Sequence, residues 1–206
     1  MTYRTWRRIL SPVLAPLTRL CHTIDPNLIT LASLALAVAT GVAFAFSMLA
    51  LALGLLGLHV ISDYLDGAVA RASGRTSRLG DFFDHAADRL ADAACLGGLA
   101  ASGWVRPVVA LAALAGSQFL AIINTQVEAS TGVRQDPHLS RTDGHVVLVA
   151  VLLLQSLGPG LLLGHPLLDW ALLAMVPFTL LVGIVRVVVT AKSLAKQQVG
   201  GAMKTN

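Results

Sequence analysis

Long apolar runs fill most of the chain, broken by short polar stretches that carry Gly, Pro or charge. Runs near 26–47, 49–71, 79–101, 105–130, 143–158 and 166–191 approach the length a hydrocarbon core of roughly 30 Å requires. The fifth is short, and the polar Arg141–Gly144 segment extends its start. Helices satisfy their own backbone polar groups, so a helical bundle is the expected way for such segments to span. Ahead of them, Trp6, Ile9, Leu10, Val13, Leu17 and Leu20 recur at helical spacing. Arg4, Arg8, Ser11 and Arg19 fall mostly on other faces, the pattern of an amphipathic helix lying at the membrane surface. Asp25-Pro26 predicts the start of the first span, with Asp25 as N-cap and Pro26 at the first helical position. The reading is an all-α polytopic membrane protein. Residues 1–24 form the interfacial helix, 25–192 a six-helix transmembrane domain and 193–206 a cytoplasmic tail.

Composition agrees with that class. The 206 residues are 55% hydrophobic and 13% charged, which sets aside a soluble or nucleic-acid-binding protein. Pro12 and Pro16 interrupt the first segment, and it lacks the long apolar stretch of a signal peptide. Cys21 and Cys95 stand far apart and give neither a disulfide framework nor zinc spacing. Net charge is +4, and its placement sets the topology. Arg4, Arg7, Arg8 and Arg19 precede the first span; Arg71, Arg75 and Arg78 follow the second. Arg134 and Arg141 follow the fourth, and Lys192, Lys196 and Lys204 follow the sixth. The three opposite connections hold only Arg106. The positive-inside rule then places both termini on the cytoplasmic side of a bacterial-type inner or plasma membrane.

Six of the eleven acidic residues fall between Asp63 and Asp92. A carboxylate costs roughly 2.5–3.5 kcal/mol at the centre of a membrane helix, so a cluster of them calls for a compensating cation. Asp63 and Asp66 are three apart near the end of the second span. Asp84 and Asp88 are four apart in the first turns of the third. Both spacings put a pair on one helix face. The short loop between the spans makes them antiparallel neighbours in this reading, so both pairs can point into one cavity. Four converging carboxylates suit one or two divalent ions, magnesium or manganese for an all-oxygen site. Gly67 and Gly80 permit close approach of a ligand. Arg71, with Arg75 or Arg78, brings to the mouth a charge that matches phosphate. The competing reading is a structural ion-pair network through Arg71, Arg78 and Arg89; it accounts for single aspartates better than for the set. Asp81 and Asp92 read as structural.

The string Asp63-x2-Asp66-Gly67-x2-Ala70-Arg71-x8-Gly80-x3-Asp84-x3-Asp88 resembles the signature of the CDP-alcohol phosphatidyltransferases. It fixes eight identities over twenty-six positions. The PNLIT segment and the six-span layout are similar too. The resemblance implies attack by an alcohol on the β-phosphoryl group of a CDP-linked lipid, usually CDP-diacylglycerol, with release of CMP. It implies two divalent metals, Mg2+ or Mn2+, on Asp63, Asp66, Asp84 and Asp88, with Asp88 also the general base. Gly67, Ala70, Arg71 and Gly80 would line the cytidine and pyrophosphate site, and the enzyme would be a homodimer with a cytoplasmic active site. Ala91, Ala94, Gly97, Gly98, Ala112, Ala113 and Gly116 would permit close helix packing within or between protomers.

The acceptor is less legible. Ser117, Gln118, Asn124, Gln126 and Glu128 lie on the fourth span. Arg134, His138, Arg141, Asp143 and His145 surround the fifth, and Arg186 lies deep in the sixth. An arginine in such an apolar stretch must face the bundle or snorkel, which suits an anionic acceptor or a motif aspartate. SQFLAIINTQVEASTG resembles the fourth span of phosphatidylinositol-phosphate synthases, but Asn124 and Gln126 stand where those enzymes hold a phosphate with basic residues. Phe83-Asp84-His85 resembles the choline and ethanolamine phosphotransferase branch. Inositol phosphate, another polar polyol, or a lipid alcohol with a soluble CDP-alcohol donor therefore stay open. A divalent-cation transporter is the alternative from another class; it calls for acids spread through the membrane depth and for inverted repeats, and the sequence has neither.

Overall fold

The computed structural model describes residues 15–132, 148, 150–154, 161–162 and 165–202. Helices dominate. Residues 15–20 are helical and lead through a turn into α1, Pro26–Ala45. Next come α2, Leu49–Ala72, and α3, Arg78–Ala101. The last two are α4, Pro107–Thr131, and α5, Leu167–Ala202. The start of α1 forms as its sequence predicts. The Asp25 side chain accepts from Asn27 N at 2.9 Å, and Pro26 occupies the first turn.

Four helices are long and apolar enough to cross a membrane: α1, α2, α4 and α5 over Leu167–Ala195. α3 has 24 residues, but it carries Asp81, Asp84, Asp88, Arg89 and Asp92 and is too polar to count by composition. Most of the expected fifth span lies outside the described residues, as do Arg134, His138, Arg141, Asp143, His145 and most of the interfacial segment. Residues 150–154 are helical. An antiparallel pair, Leu161–Leu162 (β1) with His165–Pro166 (β2), precedes α5. This short pairing is an addition to the all-α expectation. α5 itself runs on to Ala202, into the expected tail, because Lys192–Gln198 holds good helix formers and no breaker.

The packing corrects one expectation. α2 and α3 are not each other's main neighbours; α1 lies against both, and α3 then meets α4, which pairs with α5. Small residues explain the α1–α3 contact. A Cβ on Gly98 would run into the carbonyl of Gly41, and a Cβ on Gly41 into that of Ala94. Backbones this close gain dispersion that bulkier side chains forbid. Ala91, Gly98, Ala113 and Gly116 are all buried within this one chain. Polar contacts join the same helices: Ser33 and His59, both buried, link α1 to α2 through a 2.9 Å Oγ–Nδ1 contact.

The end away from the acidic cluster is closed by loops. Ser47 Oγ donates to Ser102 O at 2.8 Å, and Phe44 meets Trp104 edge to face. There Arg106 finds its partner. Asp169, fully buried, accepts from Arg106 N at 2.9 Å and from its Nε at 2.7 Å, tying the start of α4 to the start of α5.

Candidate active site

α2 and α3 bring their acidic faces to the same end of the bundle, with α1 as the wall between them. Asp66 is buried there. Thr30 Oγ1, one turn into α1, donates to Asp66 Oδ2 at 2.8 Å and to Pro26 O at 3.1 Å. Asp63 and Asp84 stand close enough to Asp66 for like-charge interaction. Asp84, His85 and Asp88 offer ligand atoms that all lie within 4.8 Å of one another. The four motif aspartates are thus linked through Asp66 and Asp84, each from a face set by its i,i+3 or i,i+4 spacing. Hard carboxylate oxygens with one imidazole beside them fit magnesium or manganese.

A cavity of about 240 Å3 opens beside this cluster. Thr30, Asp66 and Asp84 form its acidic wall, while Gly67, Ala70 and Gly80 keep it open. Asn27, Arg75 and Ser77 reach it from α1 and the α2–α3 loop. Ser77 caps α3, accepting from Gly80 N at 3.0 Å. Asn27 Oδ1 lies 3.5 Å from where a Cβ on Gly80 would stand, so the glycine keeps two polar groups at the rim. Arg75 Nη1 reaches Thr23 O at 3.5 Å.

Other predicted residues fall elsewhere. Arg71 does not line this cavity. Its Nη1 lies 3.0 Å from the position of a Cβ on Gly67, and the residue lines a neighbouring cleft. Arg78 is exposed and lines neither space. Arg89 sits 3.9 Å from both Asp88 and Asp92, so Asp92 has the structural ion pair expected of it. Gln118 on α4 donates to Arg89 O at 3.0 Å. Asp81 is exposed on the cavity rim. Arg186, half-buried, donates through Nη1 to Asn124 Oδ1. Its partner is a neutral amide, neither of the anions its burial suggested.

Thr30, Asn27 and Ser77 are the residues that sequence reasoning did not assign. The PNLIT segment was the available signal. Nothing in it alone says that its threonine faces an aspartate 36 residues away, because that follows from α1 lying between α2 and α3.

The comparisons with known proteins agree with this arrangement. Residues 23–181 match the CDP-alcohol phosphatidyltransferase family. An archaetidylinositol phosphate synthase of Aeropyrum pernix is 32% identical over 129 residues, 62% of this chain and 66% of that protein. A phosphatidylinositol phosphate synthase of Mycobacteroides abscessus is 30% identical over 156 residues, 72% of this chain and 70% of that one. The chain thus spans about two thirds of the length of these relatives. Two crystal structures of the Mycobacterium tuberculosis phosphatidylinositol phosphate synthase share the fold. The one with CDP-DAG bound has a TM-score of 0.70 at 22% identity, covering 89% of this chain and 94% of that one. The one with manganese and citrate has a TM-score of 0.70 at 23% identity, covering 87% and 88%. With a family match that spans the whole motif and most of the described helices, this chain belongs to the CDP-alcohol phosphatidyltransferase family.

Proposed function

We propose that the protein transfers a phosphatidyl group from CDP-DAG to a phosphorylated polyol of the inositol phosphate class, releasing CMP. The observation that carries this reading is the cavity where Asp66 and Asp84 meet Gly67 and Gly80: carboxylates for metal beside a space that side chains leave clear. The names of the relatives support the acceptor class. So does Arg186, whose described partner is a neutral amide that does not cancel its charge, leaving a guanidinium suited to an anionic acceptor.

In this mechanism the acceptor oxygen bonds to the β-phosphorus. The bridging bond from that phosphorus breaks, and CMP departs with the bridging oxygen. Asp88 accepts the hydroxyl proton. Asp63, Asp66, Asp84 and Asp88 would hold two divalent ions, which supply neutralisation of the pyrophosphate and of the leaving charge. Thr30 fixes the Asp66 carboxylate, and Gly67, Ala70 and Gly80 admit the nucleotide. Arg75 at the rim supplies charge for phosphate, and Arg134 and Arg141 join it in drawing the anionic acceptor to the mouth. Most of the work is positioning. The same reading has six spans, α3 among them, with the active site and both termini cytoplasmic, and a homodimer.

A second reading rests on His85, which joins Asp84 and Asp88 as a possible ligand and belongs to the segment that resembles choline and ethanolamine phosphotransferases. One assay separates the two. Purified protein is given CDP-DAG with inositol phosphate, inositol or glycerol phosphate, and separately CDP-choline with diacylglycerol. CMP release with CDP-DAG and inositol phosphate, lost in excess chelator and restored by magnesium or manganese, is the expected result. CMP release only from CDP-choline overturns the proposal, and full activity in chelator removes the metal site.

A further inference from the structure

One turn along α1 from Thr30 lies a buried titratable pair that the proposed chemistry does not use. His59 of α2 is 2% exposed and meets Ser33 of α1, itself 3% exposed. Ser33 Oγ lies 2.9 Å from His59 Nδ1 and donates to His59 O at 3.3 Å. His59 Nδ1 lies 3.0 Å from Ser33 O. A proton assigned to Nδ1 satisfies the whole set. Its N–H then faces the carbonyl and hydroxyl oxygens of Ser33, while the hydroxyl hydrogen faces the His59 carbonyl. Each side chain thus holds the backbone of the other helix, which ties the axial position of α1 to that of α2.

The same two helices carry the hydrogen bond from Thr30 to Asp66. Ser33 follows Thr30 by three residues, and His59 precedes Asp63 by four and Asp66 by seven. These spacings put Thr30 and Ser33 on one face of α1, and His59, Asp63 and Asp66 on one face of α2. Away from the acidic end both faces turn apolar, with Ala37 buried on α1 and Leu56 and Ala52 buried on α2. An apolar seam specifies register weakly, and a single polar residue in it fixes the register at a cost in stability. A slip of one turn moves a helix by about 5.4 Å. That distance takes Thr30 Oγ1 out of reach of Asp66.

We propose that Ser33 and His59 are positioning residues for the metal site: their pair sets the register of α1 on α2 that brings Thr30 to Asp66. The inference rests on the reading of Asp66 as a metal ligand. Neither residue touches metal or substrate in this role; both act through Thr30. The role is the same whichever acceptor the enzyme uses.

The test uses the full chain in detergent, without substrate. Mn2+ binding is read from the paramagnetic resonance signal of free Mn2+, and thermal unfolding is followed in parallel. The Mn2+ concentration for half-saturation should rise about tenfold in His59→Leu and about threefold in Ser33→Ala. His59→Asn, whose amide can supply the N–H that Nδ1 supplies, should stay within about twofold of the unaltered protein. Asp169→Ala, at the other end of the bundle, should lower the unfolding temperature without moving Mn2+ half-saturation. In a Thr30→Val background His59→Leu should add less than about twofold, because the contact through which it acts is already gone. If His59→Leu does not fold, Ser33→Ala and its combination with Thr30→Val decide. Unfolding temperatures that fall while half-saturation stays in place overturn the inference and leave the pair structural. Effects that multiply in the double variant overturn it too. An unaltered protein that binds no Mn2+ overturns the metal reading, and this inference with it; normal binding that the variants leave unmoved overturns the positioning role alone.

Discussion

A carboxylate as buried as Asp66 needs donors, and Thr30 on the neighbouring helix supplies one at 2.8 Å. The hydroxyl fixes which oxygen lone pairs remain for metal. Thr30→Val keeps the shape and removes the donor. It should raise the metal concentration for half-maximal CMP release by about tenfold while saturating metal restores most of the rate. A metal titration superimposable on that of the unaltered enzyme would show that Thr30 does not position Asp66. Arg186 poses a different question at the same scale. Its hydrogen bond to Asn124 satisfies geometry without cancelling charge. Arg186→Gln should therefore raise the Michaelis constant of the phosphorylated acceptor about tenfold or more, with little change for the CDP-linked donor. Unchanged acceptor dependence with a lowered unfolding temperature would make Arg186 structural and promote the neutral-alcohol reading.

Between elements, the tightest constraint is the contact of α1 with α3. A side chain at Gly98 would enter the backbone of Gly41, and backbone cannot step aside as a flexible side chain can. Gly98→Leu should destabilise the fold by about 3 kcal/mol or more, read as thermal unfolding in detergent. Gly97→Leu is its control, because a Cβ there meets nothing within 4 Å; it should fall within about 0.5 kcal/mol of the unaltered protein. Equal effects at both positions would mean that the close contact is not what holds α1 on α3. At the far end, Asp169 joins two helix starts with two hydrogen bonds. Asp169→Ala should cost about 2–3 kcal/mol and leave acceptor and donor constants unchanged in the fraction that stays folded. A change in either constant without loss of stability would argue against a purely structural clamp.

Across the whole molecule, the ends of the bundle differ in chemistry, and the proposed orientation rests on that difference. Carboxylates, arginines and both cavities gather at one end; the other has loops closed by Ser47, Trp104 and the Arg106–Asp169 pair. In a background with Cys21 and Cys95 replaced by serine, Thr76→Cys should react with a membrane-impermeant maleimide only from the cytoplasmic side. Met48→Cys should react only from the opposite side. Both positions are exposed, at opposite ends of α2. The reverse pattern would invert the proposed topology.

Sequence alone determined the helical class, the cap at Asp25-Pro26, the family and the identity of the acidic residues. Hydropathy, capping chemistry and i,i+3 or i,i+4 spacing are local properties, and the motif lies within one stretch of chain. The placement of α1 between α2 and α3 was a tertiary decision, set by Gly41 meeting Gly98 across 57 residues of sequence. That placement brought Thr30 to Asp66. The place of Arg71 was settled likewise, its guanidinium folded back one turn of α2 to the position of a Cβ on Gly67. So was the pairing of Arg186 with Asn124, which depends on how α4 meets α5. Charge and spacing name the groups a site can use; only packing decides which of them meet.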